Sequence, residues 1–165
     1  MSLEIERKFL VASVPDVWPV PFKDISIYQA YLMPRDSRVS SERVRNSRPL
    51  SSGLSVYTHT TKIRLADGVH EEHEKEVPLS SYSRLLARGH SPARVIQKTR
   101  RVFDWAGHTF ELDIFEGSLH RIVILEVELP TMDTPVELPP FIEIVREVTS
   151  ESGYTNAAMA SRGRP

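Results

Sequence analysis

The sequence predicts an α+β fold: an eight-stranded antiparallel closed β-barrel, a tunnel with a polar, charged interior and a few flanking helices. Three observations predict it. Most of the chain alternates with period two, the mark of strands. The alternating charges are segregated by sign, strand after strand. Helical patterning is confined to two short stretches. A chain with so many strands and so few helices removes its sheet edges by closing on itself.

The candidate strands are 3–11, 26–33, 42–47, 56–65, 70–77, 95–104, 108–115 and 122–129. In the first, Glu4, Glu6 and Lys8 share one face, and Leu3, Ile5, Phe9 and Val11 fall mostly on the other. Arg43 and Arg45 share a face, with Val44 opposite. Lys62 shares one with Thr58 and Thr60, and Glu72, Glu74 and Glu76 align. Lys98 and Arg100 align in the sixth strand, and Trp105-Ala106-Gly107 then makes a tight hairpin. Glu111 and Asp113 oppose Phe110, Leu112 and Ile114, and Glu126 and Glu128 oppose Leu125, Val127 and Leu129.

One helix is predicted at 81–88, with Ser80 as N-cap, Leu85 and Leu86 apolar, and Gly89 just past the end. A short C-terminal helix is predicted at 155–160, capped by Thr155 or Asn156. Three stretches read as irregular: 15–21, with three prolines and Trp18; 34–55, interrupted by a strand-like 42–45; and 129–140. Trp18, Trp105, Met132 and Met159 read as packing residues or loop anchors.

One amphipathic strand with a wet charged face is ordinary. The set is not. Residues i and i+2 on one strand face lie about 7 Å apart. Like charges at that distance repel by roughly 2 kcal/mol at an effective dielectric near 20. An ordinary solvent face mixes signs, whereas this chain repeats acid pairs and base pairs. The pattern fits a barrel that gathers the pairs around something multiply charged. Acid pairs suit a hard divalent cation such as Mg²⁺ or Mn²⁺. Base pairs suit a polyanion, and arginine offers phosphate oxygens bidentate geometry. The apolar faces then point outward and need cover, the inverse of a small barrel filled with apolar side chains.

The remaining features bound the reading. The 165 residues are the size of one domain, 1–165. With 21 Lys and Arg against 22 Asp and Glu, the net charge is −1, which argues against nucleic acid or a polybasic membrane contact. There is no cysteine, so disulfides and thiolate chemistry are excluded. No apolar run approaches the roughly 20 residues that span a bilayer, and no signal peptide is visible, so the expected compartment is the cytoplasm. No P-loop or G-x-G-x-x-G motif occurs. His70 and His73 are spaced i, i+3 on a strand rather than i, i+4 on a helix, and a zinc reading is set aside. Arg101 points away from Arg100, and Arg35, Arg38 and Arg48 read as solvated charges.

Glu4-Ile5-Glu6-Arg7-Lys8 resembles the E-x-E-x-K signature of the CYTH superfamily, the triphosphate tunnel metalloenzymes. The resemblance continues in order along most of the chain. It takes in Gln29-Ala30-Tyr31-Leu32, Arg43-Val44-Arg45, Lys62, Glu74-Lys75-Glu76, Lys98-Thr99-Arg100, Glu111-Leu112-Asp113 and Glu126-Val127-Glu128. It ends at Glu147-Val148-Thr149 with Tyr154 and Asn156. The chain departs from the family in lacking a W-x-G before E-V-T, and Glu72 stands as an alternative to Glu76 beside Glu74.

The resemblance implies metal-dependent hydrolysis of the terminal phosphate of a triphosphate, with inorganic tripolyphosphate the leading substrate and Mg²⁺ or Mn²⁺ the cofactor. It implies metal roles for Glu4, Glu6, Glu126 and Glu128, and for Glu74, Glu76 and Asp113 at a second ion or the attacking water. It implies phosphate contacts from Lys8, Arg43, Arg45, Lys62, Lys98 and Arg100, and a catalytic pairing of Tyr31 with Lys8. A small polyanion is the expected partner, with a second copy of the chain a candidate because relatives often form homodimers. Three alternatives stay open: an adenylate cyclase, a thiamine or nucleoside triphosphatase, and a non-catalytic polyphosphate-binding module.

Overall fold

The computed structural model of the protein describes residues 2–89 and 95–165. Its strands are β1 (Ser2–Val11), β2 (Phe22–Leu32), β3 (Ser41–Pro49), β4 (Val56–Ala66), β5 (Val69–Glu76), β6 (Val95–Trp105), β7 (His108–Phe115), β8 (Val123–Glu128) and β9 (Ile144–Glu147). Helix α1 (Leu79–Arg88) follows β5, and α2 (Asn156–Arg162) lies near the C-terminus. Every strand pairing is antiparallel, in the order β5-β4-β3-β2-β6-β7-β8-β1, and β1 pairs back onto β5 to close an eight-stranded barrel.

Strand β1 is the closing element. One edge pairs with β8, Glu6 opposite Glu128 and Lys8 opposite Glu126. The other edge pairs with β5 through Ser2–Ile5 and with β9 through Phe9–Val11. The gap between those two partners is bridged. The Glu6 N–H donates to the Gly68 carbonyl (2.9 Å), the Lys8 N–H to Thr149 Oγ1 (3.0 Å), and the Val148 N–H to the Lys8 carbonyl (2.8 Å).

The apolar faces point outward and are covered. On one side Phe9, Phe103, Phe110, Leu112, Leu125 and Val127 are buried under the irregular stretches either side of the barrel. Trp18 packs edge-on against Phe103 (5.2 Å) and Phe141 (5.4 Å), which ties the 15–21 and 129–142 segments together. On another side α1 lays Tyr82 against Ala30, Leu32 and Val44. Each large side chain buried this way contributes about 1.5–3 kcal/mol. The inward face turns apolar only at one end. There Tyr31, Ile96, Phe115 and Ile124 meet Met159 and Ala160 of α2, so the C-terminal helix plugs that end.

The strand expectations agree with the structure to within a few residues; β2 begins earlier, at Phe22. The hairpin at residues 105–107 forms with positive φ at both Ala106 (47°) and Gly107 (82°), the twist a two-residue connection needs. Helix α1 starts earlier than expected. Its N-cap is Pro78, not Ser80, with no side-chain cap, and the Pro78 carbonyl accepts from the N–H groups of Ser81 and Tyr82 (both 3.0 Å). Proline's fixed φ pre-sets this entry without a capping hydroxyl. Helix α2 is capped by Thr155, whose Oγ1 accepts from the Ala158 N–H (3.1 Å). Strand β9 was not expected: four residues, mostly exposed, carry too little alternation to read.

Gly68 turns β4 into β5 at φ 70°, and a Cβ there would stand 2.5 Å from the Glu6 carbonyl oxygen. Gly68→Ala is therefore expected to lower stability by roughly 2–4 kcal/mol, left-handed strain plus overpacking, read by urea denaturation. A change below the error of that measurement would show that the seam does not depend on this close approach.

Candidate functional site

The inward faces enclose a cavity of about 770 Å³. A second of about 410 Å³ adjoins it across Glu6, Lys8, Arg43, Lys62 and Asn156, and extends toward α2 and the 148–155 segment. Period-two geometry puts the acids of β1, β5 and β8 on one wall and the arginines of β3 and β6 on another.

On the acidic wall, Lys8 lies between Glu6 (3.2 Å) and Glu126 (3.1 Å). Burial works to lower the Lys8 ammonium, but Glu126 and Glu6 together raise it above the ordinary lysine value. Lys62 pairs with Glu4 and with Glu72 (3.0 Å). Glu128 faces the same space without an ion-pair partner among the described residues. Burial pushes its carboxyl up, and Glu4, Glu72 and Glu6 push it further. The Thr60 hydroxyl donates to Glu74 Oε2 (2.8 Å).

On the basic wall, Asp113 is fully buried and both its oxygens are taken. Arg100 donates to them through two nitrogens (2.7 and 2.8 Å), and Lys98 donates to the second. Burial opposes ionisation of Asp113, but Arg100 and Lys98 hold its carboxyl below the usual value. Arg100 also reaches Glu126 (3.0 Å) and Glu111. Against the raising effect of burial, Lys8 and Arg100 keep Glu126 well below the ordinary carboxylate range. Lys98 donates to Asn156 Oδ1 (3.0 Å), which brings α2 into the site.

Arg45 has no ion-pair partner among the described residues; its Nε donates to Gln29 Oε1 (2.9 Å). Burial pulls its guanidinium down to about 10, with Arg43 and Arg100 adding to the effect. Arg43 has carboxylates only at 3.8 and 3.9 Å, from Glu74 and Glu72. Arg43 and Arg45 therefore stand beside the well-paired Arg100 with less negative charge than they need. That arrangement favours a polyanion.

The sequence-derived residues fall as follows. Glu4, Glu6, Lys8, Arg43, Arg45, Lys62, Glu74, Arg100, Glu126 and Glu128 line the larger cavity. Lys98 and Asp113 lie behind its wall, holding Arg100 and each other. Glu76 is exposed and off the cavity, and Glu72 lines it instead. The register explains this: Glu76 pairs with Thr58 near the end of the β4–β5 hairpin, whereas Glu72 pairs with Lys62 at its centre. Tyr31 does not meet Lys8 through a hydrogen bond. Opposite Arg43 in the β2–β3 register, its hydroxyl lies beside that guanidinium and accepts from Gln29 Nε2 (3.1 Å).

Sequence reasoning missed His70. Its Nδ1 lies 3.8 Å from Glu4 Oε2, and donor atoms of Glu4, Glu6 and His70 fall within 4.8 Å of one another. Burial and then Lys62 hold the imidazole below its usual pKa. His73 points the other way, exposed beside Glu71 (3.5 Å). The legible signal was parity: His70 shares the face of Glu72 and Glu74. Two carboxylates and a nitrogen at this spacing fit a divalent cation.

Comparison with known proteins agrees with this fold. The model of the CYTH domain matches residues 2–163. An inorganic triphosphatase of Nitrosomonas europaea is 32% identical over 168 residues, covering 95% of this chain and 96% of that one. One of Acetivibrio thermocellus is 29% identical over 157 residues, covering 95% and 92%. The crystal structure of the inorganic triphosphatase NE1496 superposes with a TM-score of 0.64 at 29% identity, covering 98% of this chain and 99% of that one.

The raised carboxyl of Glu128 sets a signed expectation. Its folded pKa lies above the unfolded value, so its charge costs stability at neutral pH and nothing once both states are protonated. Glu128→Gln is expected to raise the melting temperature of the metal-free protein at pH 7, with the gain shrinking below about pH 4. A loss of stability at pH 7 would contradict the like-charge crowding described here.

Proposed function

The chain belongs to the CYTH family, and on that premise we propose that it hydrolyses inorganic tripolyphosphate to pyrophosphate and phosphate with a divalent cation. The observation that carries this reading is the opposition of walls in one cavity: Arg43, Arg45 and Arg100 across from Glu4, Glu6 and Glu128. The relatives named inorganic triphosphatases support it at about this level of identity.

The three arginines bind the oxygens of the phosphate chain and offset the charge that builds on the leaving pyrophosphate. Asp113 fixes the Arg100 fork in one plane, and Glu126 and Glu111 hold its outer nitrogens, so the guanidinium is oriented before the substrate arrives. Lys98 and Asn156 support that arrangement from behind. Lys62, held by Glu4 and Glu72, adds a positive charge to the same cavity, and Lys8 balances Glu6 and Glu126. Glu4 and Glu6 would hold the cation, and Glu72, Glu74, Glu126 and Glu128 line the same cavity, where they would orient water. When bound, such a cation polarises a phosphoryl oxygen and lowers the pKa of water. A carboxylate of the acidic wall accepts the proton of the attacking water.

The inorganic chain is favoured over nucleotides by the lining. No Phe, Tyr or Trp lines the larger cavity among the described residues, so a base or thiazole ring would find a phenol to stack on only in the adjoining cavity, which Tyr31 and Tyr154 line.

The test is phosphate release from tripolyphosphate with Mg²⁺ and with Mn²⁺, beside ATP and pyrophosphate. Metal-dependent release from tripolyphosphate is expected, with Glu6→Ala slower by roughly a hundredfold or more. Cyclic AMP from ATP, or tight binding of tripolyphosphate without turnover, would overturn the assigned reaction.

Arg45→Met separates binding from folding. Removing a buried guanidinium that lacks an ionic partner is expected to leave the ligand-free melting temperature unchanged or raised. The stabilisation that added tripolyphosphate gives is expected to fall markedly. Equal stabilisation of variant and wild type by tripolyphosphate would remove Arg45 from the anion site.

A further inference from the structure

We propose that His70 is a nitrogen ligand to the cation held by Glu4 and Glu6, and that it biases the site toward first-row transition ions over Mg²⁺. The proposal rests on the reading of Glu4 and Glu6 as metal ligands made above.

Glu4 and His70 are directly opposed in the β1–β5 register, so their side chains leave adjacent strands on the same face. Glu6 follows two residues along β1, on that face as well. The His70 Nδ1 is buried and has no hydrogen-bond partner, an expensive state for an imidazole nitrogen. Its separation from Glu4 Oε2, 3.8 Å, is too long for a hydrogen bond. It lies within the span that two donors on one ion can take. Ligand atoms each about 2.1 Å from a cation lie about 3 Å apart at right angles and about 4.2 Å apart when opposed.

The neighbours are compatible. Lys62 now contacts Glu4, but it also contacts Glu72 at 3.0 Å and keeps that partner when an ion takes Glu4. Lys8 leaves an oxygen of Glu6 free, because its contact is to Oε1. Arg64, paired with His70 in the β4–β5 register, is occupied by Asp67.

The donor set decides the preference. Mg²⁺ keeps oxygen ligands and tightly held waters and gains little from nitrogen. Mn²⁺, Co²⁺ and Zn²⁺ accept imidazole readily, with affinity rising along that series in most mixed sites. A chain with oxygen alone at this position would lose that discrimination.

The test is Mn²⁺ binding to the tag-free protein, followed by pulsed EPR for ¹⁴N coupling, with Mg²⁺ affinity measured by competition. Wild type is expected to show a nitrogen coupling that His70→Ala lacks and His73→Ala keeps. Mn²⁺ affinity in His70→Ala is expected to fall roughly tenfold or more, while Mg²⁺ affinity changes less than about twofold. Mn²⁺ binding that Glu6→Gln abolishes, without nitrogen coupling or with an equal loss for both metals in His70→Ala, would overturn the role of His70 alone. Mn²⁺ binding unaffected by Glu6→Gln, or no binding at all, would overturn the carboxylate reading with it.

Discussion

Everything in this structure follows from closing a sheet with its charged face inward. Burying charge is costly unless each group finds a partner, and a removed partner leaves an expensive orphan. The barrel meets that constraint by bringing opposite signs together within and between its strands. Lys8 of β1 sits between its own Glu6 and Glu126 of β8, and Arg100 of β6 is gripped by Asp113 of β7. The same inversion sends the apolar faces outward. Trp18, Phe141 and α1 are then structural necessities, because they keep water off strands that would otherwise be exposed.

The pairing is deliberately incomplete. Arg45 has an amide for company and no carboxylate among the described residues, and Glu128 faces three other acids. Burial shifts both groups first, and like-charged neighbours add to it: Arg43 and Arg100 beside Arg45, Glu4, Glu72 and Glu6 beside Glu128. A divalent ion and a phosphate chain complete both at once. In this reading the unsatisfied charge is strain held by the barrel and relieved by ligand, which is how preorganised sites bind polyanions without rearranging.

Much of this was legible in the sequence because parity is a strong signal. Glu4, Glu6 and Lys8, or Arg43 and Arg45, land on one face whatever the register. Register itself was not legible. Whether Glu72 or Glu76 reaches the cavity depends on where the β4–β5 hairpin lies along the barrel, and the structure places Glu72 opposite Lys62. Tyr31 stands opposite Arg43, with no hydrogen bond to Lys8, for the same reason. His70 was set aside because its spacing to His73 suits no helix. Its partners came instead from β1, some 65 residues earlier in the chain. Strand β9 and the Pro78 cap were missed because one is too short to show a period and the other uses no side chain.

The most direct measurement is a crystal structure with Mn²⁺ and a non-hydrolysable tripolyphosphate analogue. The expected result is an ion on Glu4 and Glu6 and the phosphate chain lying across Arg43, Arg45 and Arg100 inside the barrel. A chain bound only at the rim, or an ion held away from β1, would contradict the claim that the inward charges were gathered for this ligand.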